Sequence, residues 1–156
     1  MMTSLCCDVL RALKGKTLVT AESLTGGGIG SALTAIPGSS AVYKGGIISY
    51  TNWVKHTVLG VPEEILERHG AVSEPTAKAM AEGARKLLQA DAAVSVTGLA
   101  GPGGDEYGNP VGTVFIAYSD HAITRVKHFC FTGTRDEIRS QTIEAALRLI
   151  LEHNQQ

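Results

Sequence analysis

Aromatic residues are scarce in this chain, at 5% of 156 positions, and only one is tryptophan. Charge of one sign is also lacking: 14 Lys and Arg stand against 15 Asp and Glu, for a net charge of −1. That balance gives no bulk electrostatic drive toward nucleic acid or an anionic membrane. No apolar run approaches the roughly 20 residues of a spanning helix. The opening residues, Met1 to Asp8, have no basic region before an apolar one, so no signal peptide is expected. Cysteines number three: Cys6 and Cys7 are adjacent and Cys130 is alone. Neither a disulfide framework nor metal spacing follows from that, and a reducing, cytoplasmic compartment is the simplest expectation. What the chain has in excess is glycine, 18 residues clustered in loops.

The length suits one domain over residues 1–156. Periodicity predicts an opening helix through Leu5, Val9, Leu10 and Leu13, with Ser4 as a candidate N-cap. Leu18 to Ala21 reads as a buried strand, Gly26 to Ile36 as a helix, and Tyr43 to Tyr50 as a second strand. Asn52 is a candidate cap for a short helix, Pro62 opens another, and Ser73 caps a longer one to Leu88. Ala92 to Thr97 is a third strand. Val111 to Tyr118 and Ile123 to Phe131 form a hairpin across Ser119–Asp120–His121. Thr134 to Glu137 is a capping box opening the last helix. The expected fold is α/β: a three-layer α/β/α sandwich on a mixed, mostly parallel sheet of about five strands.

The stretch Glu22-Ser-Leu-Thr-Gly-Gly-Gly28 sits at the first strand–helix junction. Helix N-termini leave amides free, and Gly26, Gly27 and Gly28 would let an anion or a polarised carbonyl reach them without meeting a Cβ. Equally, the glycines could serve only a tight turn or close packing. Nucleotide motifs fail here: Gly15-Lys16-Thr17 precedes its strand, and Gly26 to Ser31 lacks the final glycine of a dinucleotide fingerprint. Ser23 leaves the strand just before the amides, where either a nucleophile or an ordinary cap would stand. No histidine takes an obvious partner position. Lys55, in the first turn of a helix, is the alternative base, because helix dipole and burial both favour its neutral amine. A solvated surface lysine fits the same spacing.

The blocks TAESLTGG (20–27), IPGSSAVYKGGIISYTNWVK (36–55), HGAVSEPTAKAMAEGA (69–84), SVTGLAGPGG (95–104), PVGTVFIA (110–117) and FTGTRDEIR (131–139) carry a resemblance over nearly the whole chain. The sequence closely resembles the C-terminal domain of the CinA (competence/damage-inducible protein A) family, whose stand-alone form acts as nicotinamide-nucleotide amidohydrolase. The resemblance implies hydrolysis of the carboxamide of nicotinamide mononucleotide by a serine–lysine pair without metal or other cofactor. It places the nucleophile at Ser23 and the base at Lys55. Tyr50, Asn52, Thr97, Gly98 and Arg135 fall on the matching blocks as substrate-binding positions, alongside Thr25, Gly26 and Gly27. Phosphate is expected at Arg135, where a formal charge and a helix N-terminus coincide. Longer family members carry an N-terminal molybdopterin-binding-like domain, whose functions are not expected to transfer. The expected partner is the nucleotide alone, with no nucleic acid or membrane, in a homodimer. Two other classes stay open: a metal-dependent nucleotide phosphohydrolase using Glu22, Asp105 and Glu106, and a non-catalytic nucleotide-binding module.

Overall fold

A computed structural model of the chain describes residues 1–155. In order the elements are α1 (Met2–Ala12), β1 (Leu18–Glu22), α2 (Gly28–Thr34), a 3₁₀ turn (Ser39–Ala41), β2 (Tyr43–Ile48), α3 (Asn52–Thr57), α4 (Glu63–His69), α5 (Glu74–Leu87), β3 (Ala92–Gly98), β4 (Thr113–Asp120), β5 (Thr124–Cys130) and α6 (Arg135–Glu152). The sheet runs β2-β1-β3-β4-β5. β1 is parallel to both β2 and β3, whereas β4 is antiparallel to β3 and to β5. Only β4 is therefore reversed, and the mixed, mostly parallel sheet expected from the hairpin is the one observed.

Side-chain alternation builds the layers. Leu18 of β1 and Ala92, Val94 and Val96 of β3 pack with α1, α2 and α6. Their neighbours Val19, Ala21 and Ala93 pack on the opposite face with Leu59, Val61, Leu66, Met80 and Ala84. β1 is buried throughout, as a central strand covered on both faces must be. The edge strand β2 alternates between half-buried and exposed. α6 buries Ile138, Leu147, Leu149 and Ile150, each stabilising by about 1.5–3 kcal/mol. Cys6 is buried against the same layer. No helix among the described residues is long and apolar enough to cross a membrane.

Local chemistry explains where the elements depart from the sequence-based boundaries. Ser4 lies inside α1 and donates back to the Met1 carbonyl, so it is not the cap. Thr51, in extended backbone, accepts from the Val54 amide and displaces Asn52 as the cap of α3. Gly26 and Gly27 take left-handed φ of +57° and +99°, delaying α2 to Gly28. Asp120 accepts the Ala122 and Ile123 amides, moving the hairpin turn to residues 121–123. The capping box at Thr134 and Glu137 forms as expected.

Candidate active site

Three parallel strands bring their carboxyl ends to one side of the sheet, the place where open α/β sheets collect ligands. β1 runs directly into Ser23, β2 is followed by Ser49 and Tyr50, and β3 ends on Thr97 and Gly98. After β2, Thr51 starts α3 and sends Lys55 back across the strand ends.

Lys55 Nζ stands 3.0 Å from Ser23 Oγ. Its other contacts are the carbonyls of Ser49, at 2.8 Å, and Tyr50, at 3.4 Å. None of these partners carries charge, and Lys55 is only 1% exposed. Burial without a counter-ion disfavours the ammonium, and it lowers the Lys55 pKa to about 8. About a tenth of such a group is free amine at pH 7. In that state the amine still donates to Ser49 O while its lone pair accepts from the Ser23 hydroxyl. Among the described residues Lys55 is the side chain that meets Ser23 Oγ; His56 bonds the Val61 carbonyl, and His128 stacks on Phe115.

A cavity of about 300 Å³ opens over this pair, lined by Ser23, Leu24, Tyr50, Lys55, Thr97 and Arg135 together with the loop after β3. That volume is at the lower end of small-molecule sites. Arg135, the first residue of α6, crosses the mouth and donates to the Gly101 carbonyl and, at 3.1 Å, to Tyr50 Oη. The Thr97 hydroxyl donates to Ala71 O at 2.7 Å, so the group that faces the cavity also ties β3 to the segment before α5. At Gly98 a Cβ would come within 2.7 Å of the Thr113 carbonyl, so β4 itself requires the glycine.

Four of the sequence-based positions fall outside the cavity lining. Asn52 faces a separate groove with Trp53, His56 and Tyr107. Thr25, Gly26 and Gly27 build the turn into α2, whose first amides are already occupied. The Glu22 carboxylate, 2% exposed, accepts from Ile29 N at 2.8 Å, Gly30 N at 3.0 Å and the Thr25 hydroxyl at 2.6 Å. A second anion has no place at that helix end. Gly26 and Gly27 serve the left-handed turn, while Gly28 and Gly30 serve packing: a Cβ on Gly28 would meet Ile143 at 2.6 Å, and one on Gly30 would meet the Tyr43 hydroxyl at 2.6 Å. The amides of Ser23, Gly26 and Gly28 bond the carbonyls of Val96, Ser23 and Thr25. Among the described residues this leaves the Leu24, Thr25 and Gly27 amides without a protein acceptor, and of these Leu24 alone lies on the cavity lining.

Sequence reasoning passed over the capping role of Glu22, although a carboxylate ending a buried strand ahead of a helix with no Ser, Thr or Asp cap is a signal for it. It also passed over Ser49, whose carbonyl orients Lys55, and Arg139, which reaches the Ser23 loop from α6. The carboxylates of the metal-dependent reading do not converge. Glu22 is sealed against α2, Asp105 holds the amides of Tyr107 and Asn109, and Glu106 lines the Asn52 groove.

The CinA C-terminal domain model matches residues 2–153. A CinA-like protein of Parasynechococcus marenigrum (strain WH8102) is 58% identical over 135 residues, covering 85% of this chain and 32% of that protein. A putative competence-damage inducible protein of Desulforudis audaxviator is 44% identical over 137 residues, 88% of this chain and 33% of that one. The chain thus spans about a third of the length of these curated relatives. Among solved structures, a CinA superfamily protein from Klebsiella pneumoniae 700603 aligns with TM-score 0.94 and 36% identity over 97% of this chain and 96% of its own. The competence/damage inducible protein CihA from Agrobacterium tumefaciens aligns with TM-score 0.95 and 40% identity over 99% and 96%.

Proposed function

We propose that this chain, which belongs to the CinA C-terminal domain family, is an amidohydrolase that converts nicotinamide mononucleotide and water to nicotinate mononucleotide and ammonia. The observation that carries the reading is the 3.0 Å contact between Ser23 Oγ and a buried lysine amine that has no acidic partner. A serine hydroxyl is a weak nucleophile until a neutral base lies on it, and the buried Lys55 supplies one.

The steps balance on these residues alone. Neutral Lys55 takes the Ser23 proton as Oγ attacks the carboxamide carbon. The oxyanion is received by the Leu24 amide, the free amide of this turn whose residue lines the cavity, where one such donor contributes about 3 kcal/mol to the transition state. The Lys55 ammonium protonates the departing nitrogen, the C–N bond breaks, and ammonia leaves an ester on Ser23. Water, deprotonated by Lys55, attacks that ester; the ester C–O bond breaks as the Lys55 ammonium returns its proton to Ser23 Oγ, and the new carboxyl group ionises to the released ammonia. Ser49 O keeps the amine pointed at Oγ throughout.

Arg135 is the phosphate ligand in this reading. It is the one guanidinium on the cavity lining, and its fork suits a phosphate better than the carbonyl and hydroxyl it now holds. The other helix end open to the choice, at α2, is filled by Glu22.

The test is ammonia release from nicotinamide mononucleotide with and without EDTA. Equal amounts of ammonia and nicotinate mononucleotide are expected, at a rate the chelator leaves unchanged. Tight binding with no ammonia would favour the non-catalytic module, and loss of turnover on chelation would favour the metal-dependent class.

A further inference from the structure

We infer that Arg139 is a positioning residue for the oxyanion site, an inference that rests on the serine–lysine reading of Ser23 and Lys55. One turn beyond Arg135 on α6, its guanidinium reaches the loop that follows Ser23. Nε donates to Leu24 O at 2.9 Å and Nη2 to Thr25 O at 3.2 Å, contacts that join residues 114 or more apart in sequence. The nearest carboxylate, Asp136, is 3.9 Å away on a side chain that is 93% exposed, so it screens the guanidinium weakly.

Two consecutive carbonyls held by one planar cation leave their peptide planes little freedom. In a trans peptide the N–H points opposite to the C=O of the same unit. Anchoring Leu24 O therefore aims the Thr25 N–H away from the guanidinium, and it fixes the residue whose own N–H has no protein acceptor among the described residues and lies on the cavity lining. Anchoring Thr25 O does the same for the Gly26 N–H, which bonds the Ser23 carbonyl and closes the turn. Arg139 thus acts on the reacting oxygen through the backbone, without touching the substrate.

Removing an oxyanion donor outright costs a hundredfold or more in rate, so loosening one is expected to cost about ten- to a hundredfold. In Arg139→Met, kcat for ammonia release should fall by that factor while KM stays within about threefold. Arg139→Lys, which retains the charge without the fork, should fall between Met and wild type. The separating readout is a nucleotide bearing an aldehyde in place of the carboxamide. Ser23 adds to it reversibly, placing its oxygen where the oxyanion forms. Arg139→Met should bind this analogue about tenfold more weakly, yet bind product nicotinate mononucleotide within about twofold of wild type. A merely structural arginine would weaken both ligands together or neither, and either result overturns the assignment. So does unchanged kcat in folded Arg139→Met beside an active wild type. Should Met fail to fold, the same comparison on Arg139→Lys decides. A wild type that releases no ammonia removes the amidohydrolase reading itself, and this inference with it.

Discussion

Lys55→Met lowers kcat/KM for ammonia release by at least about a thousandfold, the scale seen when one member of a nucleophile–base unit is lost. Methionine matches the length of the lysine stem and suits a site where the residue is 1% exposed, so the loss reports the amine and not a collapsed core. Ser23→Ala should lose a similar factor, and the double variant little more, because each residue is idle without the other. Turnover of Lys55→Met within tenfold of wild type would remove Lys55 as the base.

The same substitution has a stability signature of known sign. Lys55 has a folded pKa of about 8, against an ordinary value of 10.5. Between those values the unfolded chain binds the proton that the fold has released, so stability rises with pH through the window. The full penalty, on the order of a few kcal/mol, is present below pH 8. Lys55→Met deletes that penalty but leaves Ser49 O without its donor, at a cost of about 1–3 kcal/mol. At pH 7 the variant should be at least as stable as wild type in urea. By pH 10 its advantage should have shrunk or reversed. Such a residue is retained at the expense of the fold, as functional sites permit.

Glu22→Ala is the largest expected effect on the fold itself, a loss of about 3–5 kcal/mol. Three donors converge on that carboxylate, two of them amides in the first turn of α2. Ile29 and Gly30 are buried, so water cannot replace the lost acceptor, and each stranded amide costs about 1–3 kcal/mol. Glu22→Gln keeps the shape and one acceptor oxygen, so it should lose less than Ala. Urea unfolding of the two variants measures both. A change below about 1 kcal/mol in Glu22→Ala would mean that α2 does not depend on this carboxylate.

Glu22 also shows why part of the site was hard to read along the chain. The buried strands Leu18–Glu22 and Ala92–Gly98, the hairpin and the α6 capping box follow from local patterns, and the α/β/α layering follows from their order. Ser23 and Lys55 were reachable as candidates, because a strand–helix junction and a capped helix each constrain one side chain. Their 3.0 Å meeting was not, since it depends on β2 lying beside β1 in parallel register, a long-range fact. The three glycines misled for a related reason. Free amides at a helix start invite an anion from outside, and only the folded chain reveals that the carboxylate comes from four residues before Gly26. Arg139 was invisible because its partners are backbone carbonyls, which leave no mark in sequence.

The pH dependence of kcat/KM for wild-type ammonia release tests the reactive amine most directly, because it reports groups of the free enzyme. With Lys55 as the base, the logarithm of the rate should climb with unit slope from pH 6 and level off near pH 8, where the amine is freed. A profile flat from pH 6 to pH 9, in an enzyme that stays folded throughout, would contradict an uncharged lysine as the group that activates Ser23.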